Sequence, residues 1–292
     1  NISTNSANNV FLLETGNHED FSPNYRLLSS VESWSRNNPD LQVWFLLRCK
    51  RVVDEDGLLR KLLRHYPNLR IALLEPEVVL KNTPLISILP DRFQKCKTQA
   101  AHLSDFLRLA LLWKFGGFYS DTDTICIKSV SHLHNVVGLT NDKAINSAVC
   151  NFEKGHVLTW RIMKRVKKTY IARNYFTVIR AVGEKIKEAC NVSKSGELMH
   201  KSEGNSCEGV SIMPSDAFFP LNGKGGSKNY FKPQKAHEFN KTFEFSYVLH
   251  MAATWTTKKE MVRIGEKTLY EKAVELHSPI TYKAIMGRNI AF

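Results

Sequence analysis

No apolar run in this 292-residue chain is long enough to cross a bilayer, which takes about 20 uninterrupted apolar residues. The stretch RLALLWKFGGF is broken by Lys114, and the opening NISTNSANNV has no secretion-signal pattern. The chain is therefore either soluble or separated from its anchor. There is no C-x-x-C and no Cys/His cluster, so a structural zinc site is not expected. No G-x-G-x-x-G occurs, so a dinucleotide cofactor is not indicated. No repeat and no long linker divides the chain, which reads as one domain, 1–292, with a two-part layout. Acidic residues are scarce: 28 Asp+Glu stand against 41 Lys+Arg, a formal charge of +13. That excess suits a polyanion such as nucleic acid, a nucleotide phosphate or an acidic membrane, and an ordinary basic surface accounts for it equally.

What is present fits a globular protein, with 43% hydrophobic and 24% charged residues. Six cysteines and three N-x-S/T sequons, at Asn1, Asn191 and Asn240, lean toward an oxidising secretory compartment. Cys190 and Cys207 flank a polar segment that needs a staple, so they are expected to pair. Cys126 and Cys150 lie in apolar runs and read as buried thiols.

Along the chain, NVFLLETG, LQVWFLLR and LRIALLE read as strands. The helical patterns NYRLLSSVESWSRNNP and EDGLLRKLLRHYP alternate with them, which predicts an α/β start with parallel strands. A longer helix is predicted over about Thr98–Phe115, closed by Gly116-Gly117. FYSDTDTICIKS then reads as one extended segment. Two further helices are predicted in HVLTWRIMKRVKKTYIAR and FTVIRAVGEKIKEAC, followed by a strand in FSYVLH. Tyr175 runs into Phe176 with no capping residue and no turn signal between two helical patterns, as if a loop were missing.

In an extended segment Asp121 and Asp123 fall on the same side. Paired carboxylates at a strand end of an α/β sheet offer hard oxygen ligands to a divalent cation, which in turn suits a diphosphate. The competing reading is a solvated Asp-Thr-Asp turn. DTDT also resembles the D-x-D-x-T of haloacid-dehalogenase-type phosphatases, but it follows three strands and lacks the later acidic pair. Asp105 and Arg108, three apart on an otherwise apolar helix, share one face.

The block LSDFLRLALLWKFGGFYSDTDTICIKS resembles the S-D-x-x-R…[FY]-G-G-x-Y-x-D-x-D block of the lactosylceramide 4-alpha-galactosyltransferase and alpha-1,4-N-acetylglucosaminyltransferase family. The likeness extends to FLLETG, SVESWSRNNPD, NTPL, INSAVCNFEKGH, CEGVSIMPSDAFFP and YVLHM, nearly the whole chain. It implies a GT-A glycosyltransferase fold with a Rossmann-like nucleotide-binding half and a mixed central sheet, forming a single catalytic domain. It implies a retaining, Mn²⁺-dependent enzyme moving galactose or N-acetylgalactosamine from a UDP-sugar to a glycolipid or glycan. A Golgi type II membrane protein is implied too, with its anchor and stem absent from these residues, and no nucleic-acid partner.

By position, Asp105 and Arg108 would bind the donor sugar, with Asn146 beside the transferred sugar. Tyr119 would contact the nucleotide, and Glu14 and Thr15 would line the uridine pocket. Asp121 would meet ribose and metal, and Asp123 would chelate the metal with His250. Ser104 is expected to cap or pack. Trp255, Lys258 or Lys259 would face the diphosphate. Apart from the resemblance, the basic residues Lys164, Arg165, Lys167 and Lys168 suit acidic lipid headgroups if the acceptor is a glycolipid, and a solvated helix face accounts for them equally. The family's W-G-x-x-G-P-type loop is missing, at the Tyr175–Phe176 junction. Two alternatives stand beside this reading: a non-catalytic sugar- or nucleotide-binding protein of the same fold, and the phosphatase.

Overall fold

The computed structural model describes residues 8–89, 99–140, 144–172, 174, 176–198, 207–221, 226–252 and 262–288. Its centre is a seven-stranded sheet. β1 (Asn9–Phe21) pairs in parallel with β2 (Gln42–Val52), and β2 with β3 (Leu69–Leu73). On its other edge β1 takes β4 (Gly117–Ser120), also in parallel. β7 (Ala144–Phe152) then runs antiparallel to β4, followed by β6 (Val136–Thr140) and β8 (Ser211–Met213). The order is β3-β2-β1-β4-β7-β6-β8. A second sheet pairs β5 (Thr124–Cys126) antiparallel with β9 (Val248–His250).

The central strands read as continuous apolar runs because both faces are covered. Phe11 and Leu13 of β1 pack with α4 (Gln99–Phe115), α5 (Val157–Thr169) and α6 (Thr177–Ala189). Their neighbours Val10 and Leu12 pack on the other face with α1 (Tyr25–Asn37) and α2 (Leu58–His65). A third cluster joins Ile125 and Leu249 of the small sheet to α7 (Leu269–His277) and α8 (Pro279–Met286).

Three expectations are corrected. FYSDTDTICIKS is not one extended segment: β4 ends at Ser120, and Asp121–Asp123 form a corner into β5 of the other sheet. The corner is held by Ser120 Oγ and Thr124 Oγ1, both donating to the Asp121 carbonyl at 3.0 and 2.9 Å. Strand alternation is therefore not what brings the two carboxylates together. β1 does not stop at Gly16; it continues to Phe21 after a register irregularity between Glu14 and His18. The α5–α6 junction does carry a turn signal. Asn174 Oδ1 accepts the Phe176 amide at 3.1 Å, and its carbonyl accepts from Thr177. Tyr175 lies outside the described residues. A short side chain bonding the backbone two residues on is an Asx-turn, and the helix that follows has no side-chain cap, as expected.

Other expectations hold. Gly116, at φ 68°, closes α4 in the left-handed conformation, its amide on the Leu112 carbonyl at 2.9 Å. Cys190 and Cys207 form a disulfide, and Cys126 and Cys150 are buried free thiols. Cys96 lies outside the described residues.

Candidate active site

β1 turns left to β2 and right to β4, so the sheet reverses its winding at this pair, the place where open α/β sheets leave a crevice. A cavity of about 280 Å³ opens there. Leu13, Glu14 and Thr15 come from β1; Ala100, Ala101, Ser104, Asp105 and Arg108 from α4; and Tyr119, Asp121, Thr122 and Asp123 from β4 and the corner.

Arg108 organises the floor. It is 5% exposed and reaches Asp105 and Asp121 through Nη2, each at 2.9 Å. Its Nη1 donates to Ser147 Oγ at 3.1 Å, and its guanidinium lies 4.4 Å from the Tyr119 ring centroid. Burial disfavours its charge, but the Asp121, Tyr119 and Asp105 side chains outweigh that and hold it firmly protonated. Burial also pushes Asp105 up to about 6, against the pull of Arg108 and with the help of Asp121.

Asp121 is fixed from one side. Its Oδ1 accepts Arg108 Nη2 at 2.9 Å and the Tyr119 hydroxyl at 2.6 Å, and that hydroxyl also meets Ser104 Oγ at 2.6 Å. Its Oδ2 is left to face His250, whose Nε2 is 3.9 Å away. The same Nε2 is 3.3 Å from Asp123 Oδ1. His250 arrives because β9 pairs with β5, placing it opposite Thr124, next to Asp123. Burial lowers its basicity, yet the Asp123 and Asp121 carboxylates more than offset this and raise it above the usual imidazole value.

Asp121, Asp123 and His250 each offer one ligand atom within 4.8 Å of the others. Two carboxylates and an imidazole suit a borderline-hard divalent ion such as Mn²⁺, and the donor set fits the cation the sequence implies. His250 Nδ1 is buried and accepts or donates no hydrogen bond among the described residues, so the ring is positioned by packing, with Phe219 edge-on at 5.4 Å.

The remaining sequence-named residues divide. Thr15 lines the cavity but spends its hydroxyl on the Ala100 carbonyl at 2.7 Å, tying β1 to α4. Glu14 lines it with its carboxylate folded onto the Gly16 amide at 2.7 Å. Tyr119 is 1% exposed and holds Asp121, leaving it little surface for a nucleotide. Asn146 is not among the cavity-lining residues; its Oδ1 accepts the Ala148 amide at 2.9 Å. Trp255, Lys258 and Lys259 lie outside the described residues. Sequence reasoning missed Ser147 as an Arg108 partner. It also undervalued Ser104, although four residues before Arg108 put it on the same helix face.

Two family models match in tandem. Residues 24–143 match the glycosyltransferase sugar-binding region containing the DXD motif, and residues 151–285 the alpha 1,4-glycosyltransferase conserved region. The chain belongs to the DXD-containing alpha-1,4-glycosyltransferase family. Its architecture is a mixed sheet with a parallel, Rossmann-like half. Mouse lactosylceramide 4-alpha-galactosyltransferase (Mus musculus) is 28% identical over 289 residues, covering 95% of this chain and 76% of that one. Human alpha-1,4-N-acetylglucosaminyltransferase is 24% identical over 285 residues, covering 95% and 80%. Among solved structures, the PaToxG glycosyltransferase superposes with a TM-score of 0.48 at 13% identity, over 92% of this chain and 84% of that one. Membership in this glycosyltransferase family overturns the phosphatase alternative.

Proposed function

We propose that this chain is a retaining alpha-1,4-glycosyltransferase, a single GT-A catalytic domain. It moves galactose or N-acetylgalactosamine from a UDP-sugar to the terminal sugar of a glycolipid or glycan, with Mn²⁺. The observation that carries the reading is the convergence of Asp121, Asp123 and His250 at the edge of a cavity at the sheet's switch point. Asp121, Asp123 and His250 would hold a divalent ion, which would supply Lewis-acid stabilisation of the departing diphosphate. The protein's part is positional. Arg108 and Tyr119 fix Asp121 so that one carboxylate oxygen stays turned toward the ion. Asp105 and Arg108 face the cavity from α4 and orient the sugar for an oxocarbenium-like transition state. Glu14 and Thr15, just before the register irregularity of β1, border the nucleoside, and Asn146 of β7 is assigned to the sugar side. Asp105 and Asp121 share one buried guanidinium and are placed as positioning groups in this reading. That favours same-face attack by the acceptor hydroxyl.

No helix among the described residues is long and apolar enough to cross a membrane. Residence in the Golgi lumen, behind an N-terminal anchor, is part of the proposal. It is supported by the Cys190–Cys207 disulfide and by exposed sequon asparagines at 191 and 240.

The test is a donor panel of UDP-galactose, UDP-N-acetylgalactosamine and UDP-N-acetylglucosamine with Mn²⁺ and a lactose-terminated acceptor, read by mass spectrometry. Transfer from at least one donor, lost in Asp123→Asn, is the expected result. No transfer from any donor, or an undiminished variant, contradicts the proposal.

A further inference from the structure

The cavity has a charge deficit. Among the described residues, Glu14, Asp105, Asp121 and Asp123 line it against one cation, Arg108, whose guanidinium is already bound to two of them. A divalent ion offsets two of those negative charges and leaves the lining acidic. A nucleoside diphosphate brings further negative charge, so its binding calls for a cation beyond Arg108.

The packing of α1 on β5 brings one level with the corner that carries Asp123. The two elements lie side by side in the same chain direction. Asn37 Nδ2 donates to the Cys126 carbonyl at 2.9 Å, Ser33 Oγ accepts the Cys126 amide at 3.0 Å, and Trp34 Nε1 donates to Thr124 Oγ1 at 3.1 Å. Ser30 Oγ meets the same Thr124 hydroxyl at 3.4 Å. One turn earlier on the helix is Arg26, and one residue earlier on the strand is Asp123. A helical turn advances about 5.4 Å and an extended residue about 3.3 Å, so the first turn of α1 comes level with the corner at Thr122 and Asp123.

Arg26 is also held in an unusual way. Its guanidinium carbon lies 5.2 Å from the Phe231 ring centroid and 5.6 Å from that of Tyr270. A cation in the first turn of a helix opposes the macrodipole, so the position is maintained by the two rings and by nearby negative charge. Tyr270 senses both partners: burial raises its hydroxyl above the usual value, Arg26 lowers it, and Asp123 raises it.

We propose that Arg26, clamped by Phe231 and Tyr270 at the level of the Asp123 corner, is a cation that binds the diphosphate of the donor. The inference rests on the nucleotide-sugar reading above. Its test compares UDP with uridine by titration calorimetry at saturating Mn²⁺, in the wild type, Arg26→Gln and Arg26→Lys. Loss of one charge-assisted contact predicts UDP affinity reduced roughly 10–100-fold in Arg26→Gln, with uridine affinity within about twofold of wild type. Arg26→Lys, which keeps the charge, recovers a part of the loss and guards against misfolding as the cause. Wild-type UDP affinity in Arg26→Gln overturns the proposal while leaving the nucleotide-sugar reading intact. UDP and uridine weakened together overturn it in favour of a packing role. A wild type that binds no UDP overturns both.

Discussion

At the residue scale the site depends on how Asp121 divides its two oxygens. One is saturated by Arg108 and the Tyr119 hydroxyl, and the other faces His250. Groups that orient a ligand typically contribute about tenfold or more to metal affinity. Tyr119→Phe is therefore expected to weaken Mn²⁺ binding about tenfold, read by electron spin resonance titration, while the melting temperature changes little. An unchanged titration would show that Arg108 alone sets the carboxylate. Arg108 carries a heavier structural load. Replacing it by Leu leaves the buried Asp105 and the half-buried Asp121 without their shared cation, a loss of roughly 3 kcal/mol in denaturant unfolding. A loss under about 1 kcal/mol would mean that the triad contributes little. Much of this site was legible in the sequence. Asp105, Arg108, Tyr119, Asp121 and Asp123 sit in one contiguous block, and all of them line one cavity. Legibility ended where a role depends on long-range pairing. The resemblance assigned Tyr119 to the nucleotide, and it could not show that the same hydroxyl also holds Asp121. Ser147 was invisible because only the β4–β7 pairing brings it to Arg108.

At the element scale, apolar runs and breakers predicted most strands and helices, since the parallel strands are buried on both faces and the helices are amphipathic. The corner at residues 121–123 was misread because period-two alternation continues across a change of sheet. Only the long-range pairing of β5 with β9 separates the two strands. The C-terminal helices are anchored on α1 in a way no local pattern reveals. Glu32 is fully buried and accepts the Ile280 and Thr281 amides at 2.9 and 2.8 Å, capping α8, along with the Tyr66 hydroxyl at 2.9 Å. Beside it, at the end of α7, His277 Nδ1 lies 3.3 Å from Asn37 Nδ2. Burial, aided by Arg36, holds His277 down at about 4. Unfolded chain protonates near 6.5, so it binds the extra proton between those two values. The stability this neutral histidine permits is complete above pH 6.5 and is lost as pH falls toward 4. The wild type is expected to lose on the order of 2 kcal/mol more than His277→Gln across that window, measured by denaturant midpoints. Parallel pH curves for the two proteins would refute it.

At the scale of the whole molecule, the fold brings distant segments to one crevice. β1, the first turns of α4, the β4–β5 corner and β9 meet there, and a basic chain with a formal charge of +13 surrounds an acidic cavity. Such a field draws anions toward the surface, but an acidic floor holds them only through a cation. UDP binding should therefore depend on the metal. The most direct measurement is calorimetric titration of UDP with Mn²⁺ and with chelator, in the wild type and in Asp123→Asn. The account predicts binding at least about tenfold tighter with Mn²⁺, and no such gain in the variant. Equal UDP affinity with and without the metal, or an Mn²⁺ gain that survives the loss of Asp123, would contradict it.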